Sequence, residues 1–287
     1  MIRDVSDTSA WVTYYRVLET QRKDAIFKDP YAKDLLGSER AEAFAKAHTK
    51  VNRWTNWTVV MRTYIIDQMI RDLIARGVTT FINMGAGLDS RPYRMNLDAH
   101  ISWVEIDFPH IIEHKSKVLG VHTPTCKLER VGMDLADREE RRKLLETLAS
   151  KNERIVVLTE GVLPYLTELQ VAELSEDLQA FKSFQYWICE YISPMSYKFL
   201  QNPKQMKGLK NSPFQFFPEN WKGFFESKGW KLNQERFYYE LSEELKRPTP
   251  FPLIFKLVAA IKGKEWARPF RKMSGYLLWE RDSQEKS

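Results

Sequence analysis

At 287 residues, with 43% apolar and 29% charged side chains, the chain can build one large α/β domain or two small ones and is too apolar for a disordered segment. The net charge of +6 and sequence pI of about 9.1 are mildly basic, but charges of both signs interleave, as from Asp137 to Lys143, which reads as a solvated helix face and not a nucleic-acid surface. The two cysteines, Cys126 and Cys189, show no CxxC spacing and fall in expected strands, so buried thiols are expected in place of a disulfide or a metal site.

Met1 to Asp7 lacks a basic segment followed by an apolar one, so no signal peptide is expected. The most apolar late segment, Phe251 to Ile261, is interrupted by Lys256 and falls short of the ~20 residues a membrane span needs. A soluble, cytoplasmic chain is the expectation, without a membrane or nucleic-acid partner.

Residues 8–76 read as helical. Ser6, Asp7 or Thr8 is placed to cap a helix carrying Trp11, Tyr14, Tyr15 and Leu18. Asp29-Pro30-Tyr31 opens a new turn, because proline suits a first helical position. Trp54, Trp57, Met61, Tyr64, Ile65, Met69 and Leu73 recur at helical spacing and predict a packed stripe, with Gly77 as the residue after the helix. Arg62 lies beside that stripe on a helix leading into the first strand, either exposed or placed to anchor an anion.

The stretch Thr79–Asp107 organises the rest. A short apolar run, Phe81 to Met84, stops at Gly85-Ala86-Gly87, and a second run, Ile101 to Ile106, stops at Asp107. Two strands separated by a glycine turn form the front of a nucleotide-binding α/β unit. Gly85 and Gly87 let the backbone turn sharply and approach a ligand. Asp107, at the end of the second strand, can accept both hydroxyls of a ribose; the alternative is an ordinary turn with a solvated aspartate.

Pro109 starts the next helix, on which His110 and His114 stand four apart without a supporting carboxylate, so no metal is expected. Cys126 to Met133 reads as a third strand ending at Asp134-Leu135, and a charged helix follows over 137–150. The run from Arg154 to Leu163 is continuously apolar around Val156-Val157-Leu158, the signature of a strand covered on both faces. Glu160 closes it, and a carboxylate there needs a partner or a water-filled cleft. A helix from Glu168 to Phe181, a fifth strand from Tyr186 to Ile192, a poorly periodic stretch from Ser193 to Glu219 that is either a lid over a site or an insertion helix, a short helix over 221–228, a sixth strand from Trp230 to Tyr238 and a seventh from Gly275 to Glu280 complete the chain. Pro248 to Pro252 is a connector.

The pattern rejects several classes. Gly85-Ala-Gly-Leu-Asp-Ser has Ser90 where a dinucleotide site wants a third Gly or Ala. No P-loop, no Gly-x-Ser-x-Gly elbow and no Asn/Asp-Pro-Pro-Tyr/Phe sequence occurs. S-adenosylmethionine binding remains the best explanation; an NAD-dependent oxidoreductase and a catalytically silent cofactor-binding protein stay as alternatives.

Tyr15 to Arg22, Phe27 to Tyr31, Arg62 to Asp67, Asn83 to Arg91, Val104 to Pro109, Met133 to Leu135 and Glu160 to Tyr165 together resemble the leucine carboxyl methyltransferase family, in particular its bacterial O-methyltransferase branch, which includes polyketide carboxyl methyltransferases. These stretches run in family order over about the first 190 residues; beyond 193 the likeness is one of layout. The resemblance implies a class I methyltransferase fold: a Rossmann-like, seven-stranded, mostly parallel sheet with a helical N-terminal extension and a lid insertion. It divides one methyltransferase domain, 1–287, into a helical N-terminal region (1–76), a cofactor-binding core (77–192), a lid or substrate cap (193–229) and C-terminal strands with their connector (230–287).

The resemblance also implies roles. Arg62 would hold the methionine carboxylate of S-adenosylmethionine, with Arg16 as a second basic residue there. Gly85, Ala86 and Gly87 would form the turn against the cofactor, Asp107 would take the ribose hydroxyls, Asp134 and Leu135 would border the adenine, and Glu160 would lie near the methionine amino end. Asn83 stands where many methyltransferases carry an acid, a feature this family shares.

Methyl transfer from a sulfonium depends mostly on alignment and exclusion of water. A carboxylate acceptor is already ionised at neutral pH, whereas a phenol needs a base, for which Tyr165, Tyr191 and Glu190 are candidates. No catalytic base is assigned. Tyr165 and Tyr191 are the candidate acceptor contacts. Phe214, Phe216, Phe217 and Trp221 suit either an apolar acceptor or the core. The expected function is methyl transfer to a carboxylate, or a phenolic hydroxyl, of a small molecule or a protein C-terminus.

Overall fold

The computed structural model describes residues 5–47, 52–200 and 213–282. The part of the expected lid at 201–212 lies outside the described residues. Seven strands form one sheet in the order β3-β2-β1-β4-β5-β7-β6. They are β1 Thr80–Met84, β2 Ser102–Asp107, β3 Lys127–Gly132, β4 Ile155–Thr159, β5 Phe184–Ile192, β6 Trp230–Phe237 and β7 Ser274–Arg281. Neighbours from β3 through β5 are parallel, and β7 runs antiparallel to both β5 and β6. This is the expected α/β class, with six strands in one direction and one reversed.

The two central strands explain the uninterrupted apolar runs. Every residue of β1 and of β4 is buried, because helices cover both faces of a parallel sheet. Successive side chains divide between those faces. Phe81, Val156, Leu158, Ile188 and Leu278 pack on one side with the helix α4 (Arg53–Ala75), through Trp57, Met61, Ile65, Met69 and Leu73. Ile82, Val157, Cys189 and Leu277 pack on the other with Leu145, Leu148, Val171 and Leu178 from α7 (Arg138–Lys151) and α8 (Glu168–Gln179). The expected stripe on α4 is therefore core, apart from Trp54, which is exposed. Asn52 caps α4, and Gly77 follows its end with φ +79°, as anticipated.

The remaining N-terminal helices are α1 (Val5–Gln21), α2 (Ala32–Leu36) and α3 (Ser38–Ala47). Ser6, Asp7 and Thr8 lie inside the first turns of α1, so the helix starts earlier than the spacing suggested. A four-residue helix, α5 (Arg91–Arg94), follows the glycine turn, and α6 (Pro109–Leu119) follows β2. The charged run on α7 is not wholly solvated. Arg141 turns inward, with Nη2 2.6 Å from Oδ2 of the buried Asp177.

After β5 come α9 (Pro194–Leu200) and α10 (Trp221–Glu226). The stretch between β6 and β7 is more than a connector: it holds α11 (Tyr238–Glu244) and α12 (Leu253–Arg271), the latter kinked at Gly263 with φ +83°. The apolar run Phe251 to Ile261, too short for a span, supplies most of the first half of α12. Among the described residues no helix is long and apolar enough to cross a membrane. None of their His, Cys, Asp and Glu side chains cluster to hold a metal, and His114 Nε2 instead lies 2.9 Å from the Leu35 carbonyl. Both cysteines are buried free thiols.

Candidate active site

The chain runs β1, β2, β3 toward one edge and then returns to place β4 and β5 on the other side of β1. The strand order therefore reverses between β1 and β4, and in open α/β sheets such a switch point leaves a crevice at the carboxyl ends of the strands. A cavity of about 300 Å³ lies there. Asn83, Gly85, Ala86 and Gly87 line it after β1, Asp107 after β2, Met133, Asp134 and Leu135 after β3, and Glu160, Gly161 and Val162 after β4. Ser9, Val12, Thr13 and Arg16 of α1 line it as well, with Arg62 of α4.

The glycine turn is built by need. Gly85 sits at φ +70° and Gly87 at φ +46°, conformations that L side chains rarely adopt. The Gly85 and Ala86 amides donate to the Ile106 carbonyl at 2.8 and 3.1 Å, which ties the turn to β2. A Cβ on Gly85 would lie 2.5 Å from Cγ2 of Val162, so the bare Cα packs against the segment after β4. Asp107 faces the turn from β2. Its Oδ2 accepts from the Gly87 amide at 2.6 Å and its Oδ1 from the Phe108 amide at 2.7 Å. Each carboxylate oxygen keeps a further lone pair for a ligand. Asp134 is exposed at the rim, its Oδ1 accepting from the Ala136 amide at 2.9 Å.

Glu160 is engaged on both oxygens. Oε1 lies 2.9 Å from Arg62 Nε, a contact not aligned as a hydrogen bond, and Oε2 accepts from Arg91 Nη1 at 2.6 Å. Burial pushes its carboxyl up, but the Arg91 and Arg62 charges outweigh that and hold it below the usual range. Burial likewise works against charge on Arg62, and the Glu160 carboxylate more than reverses it, so the guanidinium stays protonated.

Behind the glycine turn lies a buried charge network that gave no sign of itself in the spacing. Arg91 pairs with Asp67 at 2.8 Å, with Asp89 at 2.9 Å and with Glu160. Arg94 makes a two-pronged contact with Asp67 at 2.6 and 2.8 Å. Arg16 approaches Asp29 at 3.4 Å and Asp89 at 3.8 Å and donates to the Leu88 carbonyl at 2.6 Å. With Arg62, four guanidiniums meet four carboxylates, Asp29, Asp67, Asp89 and Glu160, so the network is neutral inside. Burial would raise the Asp89 carboxyl, but Arg91 and its neighbours drive it far down. Ser90, which spoils the dinucleotide pattern, donates to Asp29 Oδ1 at 2.7 Å and is fully buried. The signal in the sequence was charged residues inside the apolar stretches that carried the resemblance: Asp29, Asp67, Asp89 and Arg91.

Most expected site residues thus share one cavity: Arg16, Arg62, Gly85, Ala86, Gly87, Asp107, Asp134, Leu135, Glu160 and Tyr165. Arg16 lines the cavity and turns its guanidinium toward Asp29, Asp89 and the Leu88 carbonyl. Tyr191 is not among the lining residues; it packs edge-on against Trp221 and Phe237. Glu190 is also outside the lining and buried. Of the aromatics in the expected lid, Phe216 and Trp221 are core, whereas Phe214 stacks edge-on against Tyr165 at 5.1 Å. Ser9, Val12, Thr13 and Val162 were not anticipated.

The cavity suits an adenosyl sulfonium amino acid. Two cations face four carboxylates in its lining, Asp89, Asp107, Asp134 and Glu160, a net −2 against a ligand of net +1. The buried Asn83 Oδ1 has no partner and borders the space, an acceptor suited to an ammonium. The volume falls at the lower end of small-molecule pockets, roughly 300–1,000 Å³.

The family model for leucine carboxyl methyltransferase matches residues 9–179, more than half of the chain. A "putative S-adenosyl-L-methionine-dependent methyltransferase" of Frankia alni is 28% identical over 263 residues, covering 86% of this chain and 90% of that protein. A relative of the same description from Mycobacteroides abscessus is 31% identical over 176 residues, 56% of this chain and 57% of its own length. Two solved structures share the fold. A DUF574 family protein from Streptomyces avermitilis has TM-score 0.58 at 12% identity, covering 94% of this chain and 97% of that one. A "putative methyltransferase" from Thermobifida fusca has TM-score 0.57 at 13% identity, covering 97% and 98%. The chain belongs to the leucine carboxyl methyltransferase family and is an S-adenosylmethionine-dependent methyltransferase of class I fold.

Proposed function

We propose that this methyltransferase acts on a carboxylate of a small organic molecule. The observation that carries the reading is that, of the three candidate bases, only Tyr165, a phenol and not an imidazole or a carboxylate, is among the described lining residues, and its ring is engaged edge-on with Phe214. The lining holds no histidine, lysine or cysteine. Asp89 and Glu160 are held low by arginines, and Asp107 and Asp134 accept from backbone amides. Glu190 and Tyr191, the other base candidates, stand outside the cavity. A carboxylate needs no base, whereas a phenol or alcohol does.

The cofactor supplies a methyl group on a sulfonium. Asp107 would receive the ribose hydroxyls on its remaining lone pairs, Asp134 and Leu135 would border the adenine, and Arg62, with Asn83 Oδ1 nearby, would receive the amino-acid end. What the chain would contribute to the reaction is alignment of the acceptor with the sulfonium. The acceptor would enter beside Tyr165 and Phe214, whose edge-on ring pair offers an apolar wall.

The test is incubation with methyl-labelled S-adenosylmethionine and a panel of small acids and phenols, followed by mild base. Label released by base marks an ester and supports the reading; a base-stable ether from a phenol overturns it.

A further inference from the structure

Glu190 is a buried acid that methyl transfer as derived above leaves unused. It stands on β5 opposite Tyr276 of β7 and continues the row Tyr186, Ile188 that faces α4. Its Oε1 accepts from the Val162 amide at 2.9 Å, while its Oε2 is buried without a partner. Val162 is no ordinary recipient. It follows Gly161, which sits at φ +71°, and its Cγ2 fills the space beside the Cα of Gly85.

The segment Glu160-Gly161-Val162 is therefore pinned twice. Arg62 and Arg91 hold the Glu160 carboxylate on one side of Gly161, and Glu190 holds the Val162 amide on the other. Between the pins is the residue with the most backbone freedom. We propose that Glu190 is a positioning residue for methyl transfer, clamping Val162 against the glycine turn so that the wall of the cofactor cavity between β1 and β4 is preformed. This rests on the cofactor reading of that cavity and adds a residue outside it.

The charged groups around Glu190 set a pH dependence. Arg62 faces it from α4, Glu160 from the end of β4, Tyr238 from α11 and Tyr276 from β7, with Cys189 beside it on β5. Burial raises its carboxyl to about 7, against the opposing pull of Arg62 and the Val162 amide. Above that pH the carboxylate makes a charge-assisted bond to Val162, and below it a weaker neutral one.

The test uses the full chain and titrates S-adenosylhomocysteine by calorimetry at pH 8 and pH 6, with hydrogen exchange of the peptide containing Val162. Wild type should lose about fivefold or more in affinity from pH 8 to pH 6, for a bond that changes from charged to neutral. Glu190→Gln, which keeps an acceptor without charge, should bind at both pH values as wild type does at pH 6. Glu190→Leu should bind more weakly still and exchange faster around Val162. A folded Glu190→Leu with wild-type affinity and exchange overturns the clamp, as does a Glu190→Gln that keeps the wild-type pH response. If wild type binds no S-adenosylhomocysteine, the cofactor reading has failed, and the exchange comparison alone decides whether the clamp exists.

Discussion

Replacing Asp107 probes the cradle at its most informative point, because one carboxylate supports the turn and faces the cavity. Its two amide contacts, 2.6 and 2.7 Å, are shorter than the ordinary N–H···O separation of about 2.9 Å, as expected for bonds to an anion. Bonds to charged groups are worth about 1.5–3 kcal/mol each, and half-exposure of the site lets water recover part of that when the acceptor is lost. Asp107→Ala should therefore lower unfolding stability by about 1–2 kcal/mol in urea titrations, with the slope unchanged. Loss of the ribose acceptor should weaken cofactor affinity by about 1–3 kcal/mol, roughly 5- to 150-fold. Asp107→Asn is the sharper variant. Its single carbonyl cannot serve both amides, so its NH2 must face Gly87, Phe108 or the ribose. Calorimetry with S-adenosylhomocysteine and its 2′-deoxy analogue separates the two roles: wild type should lose affinity for the deoxy compound, and Asp107→Ala should no longer discriminate. Equal discrimination in wild type and Asp107→Ala would refute the ribose contact even if the variant were less stable.

Three further expectations follow from the same geometry. Arg91→Met removes the guanidinium shared by Asp67, Asp89 and Glu160 and leaves the buried network one positive charge short, so unfolding titrations should show a loss of about 3–5 kcal/mol, and a loss under 1 kcal/mol would mean the network is not a stability element. Gly85→Ala should cost about 1–2 kcal/mol for the positive φ plus the clash with Val162; Gly85→Ala combined with Val162→Ala should recover the clash but not the φ cost, and simple additivity of the two changes would count against that contact. Glu190, raised by burial from 4.5 to about 7, stabilises the fold below pH 4.5 and loses that contribution as pH rises to 7, about 3 kcal/mol at about 1.36 kcal/mol per pH unit. Stability measured against pH should therefore fall more steeply through pH 4.5–7 in wild type than in Glu190→Gln; parallel curves would contradict the buried-acid assignment. This slope is opposite in sign to that expected for cofactor affinity, which improves as the same group ionises.

The parts of the fold that wrote themselves into the sequence are those with a single physical reason. Val156-Val157-Leu158 had to be a strand covered on both faces, and the α4 stripe had to be core. Gly85 and Gly87 marked a turn that only glycine makes easily, and Asp107 marked a strand end. The charge network was not legible because its members come from α1, the Asp29 turn, α4, the glycine turn, α5 and the end of β4, and only the fold brings Arg16, Asp67 and Glu160 to the Asp89–Arg91 pair. Glu160 was recognised as needing a partner, but nothing in its surroundings named Arg91. Tyr191, a candidate acceptor contact near the carboxyl end of β5, instead packs edge-on against Trp221 and Phe237 in an aromatic cluster. The helix α12 is hidden for another reason: prolines at 248, 250 and 252 mark a connector, although Pro252 stands at its N-cap.

The central claim is that an adenosyl sulfonium amino acid sits at the switch point between β1 and β4. The most direct measurement is a crystal structure of the full chain with S-adenosylhomocysteine. The account predicts the ribose on Asp107, the adenine beside Asp134 and Leu135, and the amino-acid end near Arg62 and Asn83. Density for the ligand anywhere other than this cavity, with Asp107 and Arg62 out of its reach, would contradict it.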